Sequence, residues 1–363
     1  MTSFLLATPA EVLRAYGTRA GFTDPAAAAA ALRGGDPVVG ALPFDPRRPA
    51  ALIVPERLER SAPGPVAAVT LPPLRVVAEL PSPDEHIARV TKLVEQIGDP
   101  ADPLRKVVAA RSVLVGTEAR RIDPQDVAAR LRQRHPGAHV FVADLAVAGR
   151  PGDAVVGASP EVLVARRGGV VSLRPLAGTV PRLADPVADA QRAEELRADA
   201  KNLAEHAYVV EWIRERLAPV CRTLRIPERP ELVRTDAVWH LASPIDGTLA
   251  DPAPSALELA VLLHPTPAVC GTPTLAALDR VVDAEEDRGF YGGAVGWCTP
   301  DGDGEWVVAI RSAEIAADGH TLRAFAGGGI VAGSDPRSEL DETTAKLRTL
   351  LGALDCPVPA GRT

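Results

Sequence analysis

Apolar positions recur along this chain with two periods, roughly 3.6 and roughly 2 residues, and the switches between them mark out the elements. Over 84–97 (DEHIARVTKLVEQI) the apolar positions are Ile87, Val90, Leu93, Val94 and Ile97, one face of a helix that Gly98 and Pro100 end. The period then drops to two, and KVVAARSVLV at 106–115 reads as a strand. A short helix at 126–135 and a strand at 139–148 follow. Residues 154–182 read as one hairpin turning at Gly168-Gly169, and 186–217 as one long helix.

Val238 to Gly247 read as a strand and turn, and HPTPAVCGTP at 264–273 as a proline-stiffened loop of the kind that lines pockets. Three long strands come next, at 291–299, at 305–315 and through the glycines at 327–329, with turns at 301–304 and 318–319. Asp335 is a suitable N-cap and Pro336 a suitable first residue for a closing helix, with Leu340, Leu347, Leu351 and Leu354 on one stripe. The first 80 or so residues offer only short apolar pieces, such as 51–54 and 65–71, which read as edge strands without chemistry. No repeat, low-complexity tract or clear linker divides the chain. The pattern predicts one α+β domain, 1–363, with mostly antiparallel sheet.

The 363 residues, 46% of them hydrophobic, can fill a sizeable core. A net charge of −7 with acids and bases intermixed excludes nucleic acid and anionic membrane surfaces as expected partners. No apolar run reaches the roughly 20 residues a membrane span needs, and the N-terminus lacks the basic start and apolar stretch of a signal peptide. Cys221, Cys270, Cys298 and Cys356 form no CxxC pair and no ligand pattern, so reduced thiols in a cytoplasmic protein are expected.

Several residues break the apolar pattern in ways that point to chemistry. The glycines at 327, 328 and 329 leave a strand backbone bare to a ligand, and Glu339, Glu342 and Lys346 border the buried stripe of the helix that follows. Together they read as a site for a cation and an anion, although Glu342 and Lys346 are also spaced as an ordinary surface ion pair. No Gly-Lys-Ser/Thr follows the glycines, which excludes a phosphate loop. Lys106 shares a strand face with Val108, Ala110, Ser112 and Leu114, so it is either a desolvated general base or a strand-end lysine with its amine in water. Glu161 enters an apolar strand, where burial would raise its pKa and suit it to donating a proton. Asn202 and Glu205 share a helical stripe with Val209 and Trp212; a carboxylate there is either a metal ligand or half of a buried ion pair. His240, between Trp239 and Leu241, reads as a satisfied core side chain. Arg311 projects from the apolar face of Val307 and Ala309, shaped to hold a carboxylate.

Taken in order, KVVAAR at 106–111, ASPEVLV at 158–164, LAGTVPR at 176–182, KNLAEH at 201–206, HPTPAVCGTP, DRGFYGGAVGW at 287–297, EWVVAIRSAEI and FAGGGIVAGSDPRSELDETTAKL resemble the chorismate-utilising enzymes. The resemblance covers about 84–352 and is loose before that. It implies two large antiparallel sheets packed on each other and flanked by helices. It implies Mg²⁺ held by Glu205 and Glu342, with Glu339 behind, and chorismate bound by Arg311, Lys346 and the backbone at Gly327 and Gly329. Gly178, Thr179, His240, Ala268 and Tyr291 would complete the pocket.

Lys106 is similar to the lysine of the water-using members, where it would deprotonate water attacking C2 while Glu161 protonates the departing C4 hydroxyl. The expected activity is therefore that of an isochorismate synthase serving siderophore or menaquinone synthesis, a monomer with no glutamine amidotransferase subunit. Ala268 stands where salicylate synthases carry Thr, which leaves salicylate synthase as the alternative enzyme and a catalytically silent chorismate-binding homologue as the other. Asn202 stands where the isochorismate synthases carry an acid, which removes one negative charge near the metal position.

Overall fold

The structure is a computed structural model that describes residues 2–235 and 238–356. Its helices are α1 (Pro25–Arg33), α2 (Pro83–Gly98), α3 (Pro124–Arg134), α4 (Pro186–Ala198), α5 (Ala200–Leu217), α6 (Ala256–Leu263), α7 (Thr274–Ala284) and α8 (Pro336–Ala353). Five of them start with proline behind a Ser or Asp whose side chain caps the first turn: Asp24, Ser82, Asp123, Asp185 and Asp335. Among the described residues every strand pair is antiparallel.

The strands form two large sheets and one small one. The first, of ten strands, runs Gly271–Thr272, Lys106–Gly116, Thr321–Ile330, Ser312–Ile315, Ala154–Ser159, His139–Asp144, Thr2–Ala7, Val12–Tyr16 and Arg57–Ser61, with Arg75–Leu80 also on the Lys106 strand. The second, of nine, runs Cys221–Arg225, Ile245–Leu249, Val170–Leu173, Val162–Arg167, Gly304–Val308, Ala294–Cys298, Val38–Leu42, Ala51–Val54 and Ala20–Phe22. Leu176–Pro181, Val238–Ala242 and Glu231–Arg234 make a separate three-stranded sheet.

Strand alternation explains how these layers stack. In His139–Asp144, Phe141 and Ala143 point to the interior between the sheets, where they join Phe4 and Leu6 of the first sheet and Val295, Trp297 and Val307 of the second. Their neighbours Val140 and Val142 point the other way, into a core with α3 and α8. The outer face of the second sheet is covered by α1, α5 and α6.

Four expectations change. The first 80 residues are only partly edge material: Arg57–Ser61 and Ala20–Phe22 end the two sheets, but Thr2–Ala7, Val38–Leu42 and the expected edge piece Ala51–Val54 lie inside them, and 65–71 is not a strand. The 154–182 hairpin survives only as Val162–Arg167 with Val170–Leu173, because Ala154–Ser159 belongs to the first sheet and Leu176–Pro181 to the small one. The 305–315 strand is two strands in different sheets, broken at Arg311, which has a left-handed backbone (φ 51). The long helix is two, broken at Asp199, whose extended backbone (φ −73, ψ 115) and side chain cap the N-terminus of α5.

Smaller differences follow from packing. Thr343, not Leu340, takes the fully buried place on α8, and Tyr291 precedes its strand, which starts at Ala294. Helices α1, α6 and α7 were not expected; α6 (ALELAVLL) is almost wholly apolar and α1 is an alanine run, so neither shows a polar face to set a period. The inter-sheet core is close-packed, so Phe141→Ala is expected to cost about 3–5 kcal/mol, read as a lower urea midpoint with an unchanged slope.

Candidate active site

Two of the points where the chain passes from one large sheet to the other lie side by side. One follows Ala154–Ser159 and contains Pro160 and Glu161; the other follows Gly304–Val308 and contains Ile310 and Arg311. They are tied by backbone bonds, Val308 N–H to Glu161 O (3.0 Å) and Ala158 N–H to Arg311 O (3.1 Å). Beside this seam is a cavity of about 440 Å³, closed by the small sheet, α5, α8 and the proline loop. Glu161, Gly178, Thr179, Glu205, His240, Ala268, Tyr291, Arg311, Gly327, Gly329, Glu339, Glu342 and Lys346 all line it.

Glu161 is buried (4% exposed), accepts the Leu176 N–H (3.3 Å), and has its own N–H on Ser159 Oγ (3.2 Å). Burial pushes its pKa up to about 7, against the opposing pull of the Leu176 N–H and the charges of Lys106 and Lys346. A carboxyl poised there can give up a proton near neutral pH. Nothing among the described residues hydrogen-bonds the Arg311 guanidinium, whose pKa burial lowers against the support of Tyr291 and Glu342. Lys346 donates to Gly327 O (2.8 Å) and pairs with Glu342 (2.6 Å). Burial disfavours its charge, but Glu342 outweighs that and holds its pKa above the ordinary lysine value. The pair that the spacing also allowed as a surface contact is thus mostly enclosed.

His240 pairs its Nδ1 with Thr179 Oγ1 (2.8 Å), and its buried Nε2 has no partner. Burial, Arg311 and Lys346 push its pKa down to about 3, so the ring is neutral. Its orphan nitrogen, on the cavity wall, makes it more than a satisfied core side chain. Tyr291 stacks on Phe325 with centroids 5.1 Å apart. Gly178 has φ +82, and a Cβ there would stand 3.1 Å from Asn202 O, so the turn that presents Thr179 needs glycine.

Lys106 lies one layer deeper than expected. It is fully buried, is not part of the cavity wall, and its Nζ is 2.9 Å from Glu205 Oε1, without the alignment of a hydrogen bond. Glu205 therefore stands between the amine and the cavity. A Cβ at Gly329 would sit 2.3 Å from Glu205 Oε1, so the bare glycine strand is what allows the carboxylate this close. On the facing helix, Glu339 pairs with Lys201 (3.2 Å) while its buried Oε2 is unpartnered, and burial with the Glu342 charge raises its pKa.

Glu205, Glu339 and Glu342 supply only carboxylate oxygens, the donor type of a hard divalent cation, and the orphan Oε2 fits that use. Each is matched with its own lysine, and among the described residues no group of three or more His, Cys, Asp or Glu is drawn together as a metal centre. Lys201 was missed by the sequence reading. Its spacing four residues before Glu205, on the same helix face, is the signal that could have found it. Asn202 accepts the Thr179 N–H (3.1 Å) and donates to Asp199 Oδ1 (2.7 Å). A carboxylate at 202 could keep the first bond but would face the Asp199 carboxylate in place of the second.

An enclosed cavity with a proton-holding acid, a free guanidinium and three lysine-matched carboxylates has the chemistry to bind a small anionic molecule and pass it a proton. The chain belongs to the chorismate-binding enzymes, whose family model matches residues 61–355. It is 47% identical over 97% of its length to a Mycobacterium tuberculosis protein provisionally named isochorismate synthase MenF, covering 95% of it. It is 44% identical to the isochorismate synthase DhbC of Bacillus subtilis, over 87% of this chain and 80% of that one. The solved menaquinone-specific isochorismate synthase MenF of Escherichia coli superimposes with a TM-score of 0.84 at 27% identity, over 97% of this chain and 89% of that one. The expected two-sheet α+β architecture is present, and among the described residues no helix is long and apolar enough to cross a membrane.

The pKa of Glu161 makes a stability prediction. The folded chain holds the proton up to about pH 7, whereas the unfolded carboxyl releases it near 4.5. The contribution of this group to stability is therefore fully present below pH 4.5 and is lost as pH rises to about 7, by roughly 3 kcal/mol. Glu161→Gln abolishes this loss, so the variant gains on the parent between pH 5 and pH 8 in urea unfolding; an unchanged difference would refute the assignment.

Proposed function

We propose that this chain is an isochorismate synthase, and the buried Glu161 beside Arg311 and Lys346 is the observation that carries the reading. Arg311, Lys346 and the backbone at Gly327 and Gly329 hold the two carboxylates of chorismate. Glu161 donates its proton to the C4 hydroxyl, which leaves as water. A water molecule adds at C2 and the ring double bonds shift, so one hydroxyl is gained, one is lost, and the product is an isomer.

Lys106 reacts in its neutral form and takes the proton of the attacking water, with Glu205, in contact with Nζ, controlling access to the amine; loss of that proton to solvent and reprotonation of Glu161 complete the cycle. Glu205 and Glu342, with Glu339 behind them, would hold Mg²⁺, which would supply positive charge to a substrate carboxylate. His240, neutral, keeps Thr179 in place and offers Nε2 to the bound ring. Ala268 gives the cavity a methyl group where a hydroxyl would help eliminate pyruvate, so the reaction stops at isochorismate. The chain acts alone, in the cytoplasm, without a glutaminase, and its product serves siderophore or menaquinone synthesis.

Purified protein with chorismate and Mg²⁺ is expected to give isochorismate without pyruvate, with loss of turnover in EDTA and recovery on adding Mg²⁺. Salicylate with stoichiometric pyruvate would make it a salicylate synthase, and no turnover a silent homologue. Lys106→Met and Glu161→Gln should each lower kcat by about 100-fold or more. Turnover should fall as pH rises through about 7, where Glu161 loses its proton, and Glu161→Gln should lack that limb.

A further inference from the structure

Behind the Tyr291–Phe325 stack is a second cavity, of about 310 Å³, that shares only Phe325 with the first. Four guanidinium groups line it, and three are fully committed. Arg111 pairs with Glu79 (2.8 Å) and donates to Thr343 Oγ1 (3.0 Å). Arg288 pairs with Glu285 (2.7 Å) and donates to Val269 O and Val108 O. Arg323 pairs with Glu286 and donates to Ser112 Oγ (2.8 Å).

Arg89 is different. Its Nη2 donates to Ala110 O and touches His86 Nδ1 (3.1 Å), but its buried Nε has no partner. Its Nη1 is 3.9 Å from Glu285 Oε1, which already takes the Ala110 N–H (2.9 Å) and belongs to a carboxylate that also serves Arg288. Glu85, the remaining acid of the lining, is turned away to its capping box with Ser82. The donor a ligand can reach is Nη1, which makes no hydrogen bond among the described residues; a mostly buried guanidinium (side chain 17% exposed) with a spare N–H is costly without an acceptor. The apolar part of the wall is Leu80, Pro81, Ala110, Ala284 and Phe325, whose ring lies under the Arg323 guanidinium (4.9 Å to the centroid).

We propose that this second cavity binds a small planar monocarboxylate, its carboxylate on Arg89 Nη1 and its ring against Leu80, Pro81 and the edge of Phe325. A guanidinium N–H makes a strong charge-assisted hydrogen bond to a carboxylate, and the volume fits a single-ring acid. Bound there, the acid sits beside Phe325, whose ring stacks on Tyr291 of the first cavity and carries the Arg323 guanidinium.

The probe is 4-fluorobenzoate, titrated into the full chain and followed by fluorine NMR, with and without excess chorismate. One site that persists with chorismate is expected, weakened about tenfold or more by Arg89→Gln and likewise by Leu80→Glu, which sets a carboxylate against the probe. Turnover of chorismate by both variants reports that they are folded, and circular dichroism does so if the chain has no turnover. Displacement of the probe by chorismate, equal binding by both variants, no binding at millimolar probe, or inorganic phosphate competing as well as benzoate would each overturn the proposal. The binding readout does not depend on which reaction the chain performs.

Discussion

The side-by-side crossing of two chain segments between the sheets is the constraint on which the site depends. At such a switch the strand ladder stops, so backbone and side chains lose their regular partners at the seam. Here the two crossings satisfy each other through Val308 N–H to Glu161 O and Ala158 N–H to Arg311 O. The result brings Glu161 and Arg311 to one cavity although 150 residues separate them in sequence. The left-handed backbone of Arg311 is where that turn is accommodated.

Electrostatics within the cavity follow from enclosure. Charges that would be screened at the surface interact strongly here, and each acid is matched by a lysine: Glu205 with Lys106, Glu339 with Lys201, Glu342 with Lys346. Glu161, contacted by no lysine, meets the same burial by keeping its proton, and His240 by staying neutral. Enclosure thus sets the ion pairs of Glu339 and Glu342 apart from Glu161, His240 and Lys106, the groups that would hold or pass a proton.

The glycine strand and the proline loop are the two rigid edges that make the enclosure possible. Gly327 takes the Lys346 amine on its carbonyl, Gly328 leaves room for Glu339, and Gly329 for Glu205. Any side chain facing these acids would push α5 or α8 outward. The loop from His264 to Pro273 is pinned at both ends, by the His264 Nε2 contact with Pro43 O (2.8 Å) and by Gly271 and Thr272 pairing with the Lys106 strand.

By itself the sequence determined the elements whose signals are local: α2 from its apolar period, α8 from Asp335 and Pro336, the Lys106 strand, the Gly168-Gly169 turn and the glycine strand. It also marked Glu161, Glu205, Arg311 and Lys346 as polar residues on apolar faces, and its ordered blocks indicated the family. Tertiary structure decided where strands change sheet, because a period of two reads the same whichever sheet a strand joins. It decided the break at Asp199, where a cap competes with helix continuation, and the interior place of Thr2–Ala7, since strand order is set by long-range pairing. Only the packed fold put Lys106 behind Glu205 and raised the Glu161 pKa, because burial and the distances between charges belong to the assembled layers and not to any one segment.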